Sequence, residues 1–145
     1  MKTVGGKSSI LKVSNELRNA LTATGCKKRV PSSYVLFREH ADSAGVFLVC
    51  KGKVLMGIKN LPKLDRLFST GALLGVPATF TGRAYSLTAV TVSEADIVYV
   101  PRDEFLTLMR ERPDLCREAT DMLGREVTFI QSALAERRRQ MAEAS

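Results

Sequence analysis

Gly71 to Val100 is the stretch whose residue types could grip a small anion. Gly71 and Gly75 bracket a short apolar step, Pro77 follows where a helix can begin, and Arg83 stands at the end of the turn. A helix start presents N–H groups without partners at the positive end of its dipole. A guanidinium adds a planar fork of donors that matches a phosphate or carboxylate. Together these groups form a small anion cradle, provided that the surrounding chain is β-structure stiff enough to hold it.

The surrounding chain has that character. Turn signals at Pro31-Ser32-Ser33, 41–45, Lys51-Gly52-Lys53 and 60–63 separate short apolar runs. The runs are Tyr34 to Phe37, Val46 to Cys50, Val54 to Ile58 and Arg66 to Ser69, followed by Ser86 to Val92 and Ala95 to Val100. Turns recurring this often predict a β-sandwich or barrel. No helical crossover lies between the runs, which argues against a parallel α/β sheet.

Helices flank the β region. Ser14 can cap a helix running to about Thr24, with Leu17, Ala20 and Leu21 on one face and Gly25 as its stop. After Pro101 a short helix carries Phe105, Leu106, Leu108 and Met109. Pro113 then opens a long helix reaching about Met141, with Asp114 complementing its dipole. Along it Leu123, Val127, Ile130, Leu134 and Met141 fall 4, 3, 4 and 7 residues apart, a heptad seam interrupted by Arg137. A helix of about 28 residues spans about 42 Å, longer than a small β domain can cover. It either folds back on its own domain or pairs with a second copy, and the seam favours a two-fold dimer.

The order of these motifs resembles the cyclic nucleotide-binding domain of the bacterial catabolite-activator type, over roughly Gly25 to Gln140. Val30 to Glu39, Gly45 to Val49 and Lys51 to Val54 look like its first strands. Val98 to Phe105 and Arg112 to Leu115 look like its last strand and the start of its C-terminal helices. The resemblance implies a mainly β fold, a double-stranded β-helix or jelly roll with an N-terminal helix and a long C-terminal dimerisation helix. It divides the chain into a flexible 1–9, a β-roll with flanking helices at 10–112, and the dimer helix at 113–145.

It also implies a site. The phosphate of a cyclic nucleotide, cAMP or cGMP, falls to Arg83 and to the backbone of Gly75, Val76, Ala78 and Ala84, because Pro77 has no N–H. The base falls against Ile130 and Gln131, with Tyr85 beside the pocket. The sequence departs from the family at three of these places. Val76 stands where a glutamate usually holds the ribose, Ala84 where a serine usually adds a hydroxyl, and Tyr85 where a small alanine is usual. Tyr85 and Phe80 are large enough to narrow or fill the pocket. Two functions follow: a sensor in which a small anionic effector repacks the long helices of a homodimer, or a ligand-free dimerisation and interaction module.

Composition bounds the rest. The 145 residues suit one domain with a proper core, at 45% hydrophobic and 26% charged. The net charge of +7 is lopsided: residues 1–60 carry +8 and residues 61–145 carry −1. A basic half can approach an anionic polymer, yet its cations share no periodic face, and no DNA-reading helix-turn-helix is visible in the chain. Cys26, Cys50 and Cys116 are far apart, without the spacing of a metal or iron–sulfur site, and read as free thiols in a reducing compartment. His40 reads as a turn residue, and no metal site is expected. No nucleophile, base and acid set argues for an enzyme. With no signal-length or membrane-spanning apolar run, a cytoplasmic, soluble protein is expected.

Overall fold

The computed structural model describes residues 12–62 and 65–144; the expected flexible segment 1–9 lies outside them. Helix α1, Asn15–Thr24, begins where Ser14 accepts a hydrogen bond from the Leu17 amide. It buries Leu17 and Leu21 and ends at Gly25. A Cβ at Gly25 would stand 2.5 Å from the Tyr99 carbonyl oxygen, so only glycine lets the chain pass this close to the strand beneath it. The Ser14 backbone N–H and hydroxyl both donate to the Glu118 carboxylate, at 2.7 and 2.6 Å, which fastens the start of α1 to the C-terminal helix.

Eight strands follow: β1 Cys26–Val30, β2 Val35–Phe37, β3 Gly45–Lys51, β4 Val54–Gly57, β5 Arg66–Phe68, β6 Leu73–Leu74, β7 Thr88–Thr91 and β8 Ala95–Pro101. They pair antiparallel in two sheets, ordered β1-β8-β3-β6 and β2-β7-β4-β5, the jelly roll expected from the sequence. Between β6 and β7 lies the short helix α2, Val76–Thr81. Helices α3, Arg102–Glu111, and α4, Pro113–Ala144, follow β8.

The apolar side chains divide into two cores. One fills the space between the sheets, with Phe37, Val49, Val54, Met56, Phe68, Tyr85, Leu87 and Ile97. The other lies behind the first sheet, where Val46, Leu48, Val98 and Val100 meet Leu17, Leu21, Phe105, Met109 and Leu115 of the helices. The first sheet is thus covered on both faces. This explains why Gly45–Val49 and Ile97–Val100 read as nearly unbroken apolar runs, where a half-exposed strand would alternate.

Helix α4 turns a buried stripe of Leu115, Ala119, Met122, Glu126 and Ala133 toward its own domain. The seam expected from the sequence lies beside that stripe: Leu123, Val127, Ile130 and Leu134 are half-buried, and Met141 is 63% exposed. The helix therefore folds back on its own domain over this stretch, and still offers part of its apolar seam outward.

Candidate functional site

The turn that leads into α2 is built on Gly75, whose φ of +85° is a left-handed conformation. A Cβ there would meet Tyr85 Cε1 at 3.1 Å and the Gly45 carbonyl oxygen at 3.2 Å. Glycine is needed for its conformation and for the room it leaves. Gly75 caps α2 but has no side chain with which to satisfy the first amides. That task falls to Glu126 of α4, whose carboxyl accepts hydrogen bonds from the Gly75 and Val76 N–H groups. Burial pushes this carboxyl up to about 8, and the two amides pull it part of the way back.

The far end of α2 is held by a cation. Arg102 Nε donates to the Thr79 carbonyl at 2.9 Å. Thr79, fully buried, donates from its hydroxyl to the Gly75 carbonyl at 2.7 Å and meets the Ser43 hydroxyl at 3.2 Å. The guanidinium at the C-terminal end complements the direction of the peptide dipoles, and the Glu126 carboxyl serves the N-terminal end as a hydrogen-bond acceptor.

Tyr85 closes the space next to this turn. It is buried, and its ring stacks on Phe37 with centroids 4.1 Å apart. Its hydroxyl donates to the Gly45 carbonyl at 2.8 Å and accepts from the Ala44 and Gly45 amides at 3.0 and 3.1 Å. The backbone is fixed too, through Tyr85 N–H to the Ala41 carbonyl and His40 N–H to the Tyr85 carbonyl. The cavity left between Phe37, Gly75, Pro77, Tyr85, Glu126 and Ile130 measures about 20 Å³. Pockets for small ligands run from roughly 300 to 1,000 Å³.

Of the residues expected to bind a ligand, Gly75, Ala78, Tyr85 and Ile130 line this one small cavity, whereas Val76, Arg83, Ala84 and Gln131 are not among its lining. Gly75, Val76 and Ala78 lie at the turn, with Val76 and Ala78 buried. Arg83 and Ala84 are exposed. The Arg83 amide donates to Thr81 Oγ1 at 3.3 Å, while its guanidinium has no hydrogen bond or ion pair to any of the described residues. Ile130 lines the residual cavity, and Gln131 is exposed on α4. Phe80, the other candidate for filling the pocket, turns away and packs edge-on against Phe105 at 5.4 Å. The sequence reading missed Glu126, Arg102 and Thr79. The one signal for Glu126 was its spacing, four residues after Met122 and seven before Ala133 on the buried stripe.

A larger, open groove of about 630 Å³ lies elsewhere, between Arg38, His40, Leu55, Lys59, Val90 and Arg137. His40 sits there in a left-handed turn, its Nε2 3.3 Å from Glu39 Oε2. All three cysteines are free, and burial pushes the Cys50 thiol up, away from the reactive thiolate. Among the described residues no group of three or more His, Cys, Asp and Glu could hold a metal ion, and no helix is long and apolar enough to cross a membrane.

A small helix between two strands of an antiparallel roll, started by a left-handed glycine and backed by a long C-terminal helix, is a recurrent domain architecture. The sequence model of the cyclic nucleotide-binding domain matches residues 27–112, and the chain belongs to that family. Among solved structures, the catabolite activator protein of Thermus thermophilus is 21% identical with a TM-score of 0.69, covering 85% of this chain and 59% of its own. A transcriptional regulator of Thermotoga maritima is 11% identical with a TM-score of 0.68, covering 81% of this chain and 94% of its own. The global regulator CLP of Xanthomonas campestris, which responds to c-di-GMP, is 12% identical with a TM-score of 0.69, covering 89% of this chain and 65% of its own. At these identities the likeness is one of fold. No curated protein matches the chain.

Proposed function

We propose that this chain is a regulatory domain whose cyclic-nucleotide seat is filled by its own side chains, and that it works through α4 as a homodimerisation and interaction module. Tyr85 carries this reading. Its ring occupies the space beside the cassette, stacked on Phe37, with its hydroxyl bonded to three backbone groups. Opening a pocket there means breaking those bonds and unstacking two aromatic rings, at a cost of several kcal/mol. Two further features agree: Arg83 faces solvent, and Val76 offers no carboxylate to a ribose.

The output runs through α4. Its half-buried seam of Leu123, Val127, Ile130 and Leu134, with Met141 beyond, is the surface for a second copy, in line with the division into a β-roll at 10–112 and a dimer helix at 113–145. The reading is of a cytoplasmic, non-enzymatic protein, with its free cysteines suited to a reducing compartment.

The second reading is a sensor of a small anionic effector. It is favoured by the Gly75 and Val76 amides, which already serve a carboxyl oxygen, and by the uncommitted Arg83 guanidinium nearby in sequence. Calorimetry with cAMP, cGMP and the linear nucleotides, on wild type and Arg83→Ala, separates the two. The closed-seat reading expects no heat of binding from any of them and an unchanged dimer by sedimentation. Saturable binding that Arg83→Ala abolishes would establish the sensor instead.

A further inference from the structure

We propose that Glu126 is a proton-operated latch, which holds α4 against the cassette while its carboxyl is protonated and loosens the helix when the carboxyl ionises. The latch deepens the closed-seat reading, because it needs the seat filled as described.

The geometry supplies both halves of the device. Glu126 is the one charged residue type in the buried stripe of α4, and it lies deep in that stripe, between Met122 and Ala133. Its carboxyl reaches the amides of Gly75 and Val76, so one side chain joins the long helix to the turn on which the cassette is built. Among the described residues that line the cavity beside it there is no cation. Phe37 comes from β2, Pro77 and Ala78 from α2, Tyr85 and Leu87 from the segment before β7, and Ile130 from α4 itself. Tyr85 is the other titratable group there, and its hydroxyl is committed to Ala44 and Gly45.

A neutral carboxyl suits such a place, because its carbonyl oxygen accepts from the amides and no charge is stripped of water. An ionised one does not, since the two N–H groups replace only part of its hydration. The remaining cavity of about 20 Å³ has room for about one water, fewer than a carboxylate needs. Hydrating the anion therefore requires α4 to move outward, taking with it the seam that faces a second copy. The position of the carboxyl's titration, at about 8, puts the change close to neutral pH.

The test compares the full-length wild type with Glu126→Gln, which keeps the shape and the acceptor oxygen but cannot ionise. Amide hydrogen exchange is followed at pH 6 and pH 9, corrected for intrinsic rates, while carbon-13 NMR follows the Glu126 carboxyl. One pH unit beyond the midpoint ionises the group about tenfold over the neutral form. With about 1% of the carboxyl ionised at pH 6 and about 90% at pH 9, the expectation is that exchange at Gly75, Val76 and residues 122–133 of wild type rises up to about a hundredfold between the two, and that Glu126→Gln shows no such rise. Equal protection of wild type at both pH values overturns the latch, as does an identical response in the variant. Should Glu126→Gln fail to fold, the wild-type carboxyl titration decides: the exchange must rise with the same midpoint, or the latch fails. Nucleotide binding would sink the closed seat, whereas a flat pH response sinks the latch alone.

Discussion

The two ends of the cassette have opposite fates. At the Gly75 end the Gly75 and Val76 amides are taken up by Glu126, the Gly75 carbonyl by Thr79, and the adjoining space by Tyr85 and Phe37. Eight residues later the Arg83 guanidinium stands in solvent. In an anion site both ends would converge on one ligand. Here the amides have been turned inward and the cation left outside, while Arg102 serves the C-terminal end of α2 as a structural clamp. On the closed-seat reading proposed above, the shape of the cassette serves the core whether or not a ligand is held.

Substitutions at the two ends should differ accordingly. Tyr85→Ala removes a buried ring and should cost about 3–5 kcal/mol in denaturant unfolding. A loss below about 1 kcal/mol would mean that the ring is a movable gate and would break the contrast.

The next effect is one of pH. The Glu126 carboxyl titrates at about 8 in the folded chain against an ordinary value of 4.5, so the folded state binds the extra proton between those limits. Stability from this group is then fully present below 4.5 and lost as the pH rises through about 8, by a few kcal/mol in total. Thermal unfolding across this range should show that fall in wild type and a shallower one in Glu126→Gln. Tyr85→Phe keeps the stacking but leaves the Ala44 and Gly45 amides and the Gly45 carbonyl without their partner, which should cost about 1–3 kcal/mol. Arg83→Ala should fall within about 0.5 kcal/mol of wild type in the same unfolding measurement. A larger loss would mean that the guanidinium has a partner at the cassette after all.

Most of the roll was legible in the sequence because glycine and proline punctuate it where the backbone turns and the apolar runs between them have strand length; β1, largely cationic and exposed, was not among those runs. The helices were legible from Ser14, Gly25 and Pro113 at their ends. β6 was harder to see, since two residues, Leu73 and Leu74, carry no period of their own. The face of α4 was legible only in part. Counting large apolar residues picks out Leu123, Val127 and Leu134, whereas the most buried positions include Ala119, Ala133 and the acidic Glu126, which such counting passes over. Small residues are buried there because the helix lies close to the roll. Glu126 is tolerated because the turn at Gly75 has amides to offer it. Neither reason can be read from α4 alone, as both depend on what lies across the interface. Tyr85 was recognisable as too large for its place, but its hydroxyl contacts belong to the start of β3, 40 residues earlier.

The bond between Ser14 and Glu118 spans 104 positions of the chain. Synthesis delivers residue 14 long before residue 118, so α1 leaves the ribosome with its cap only half made. α1 is fastened when α4 reaches it, and truncation within the early turns of α4 would release the start of α1.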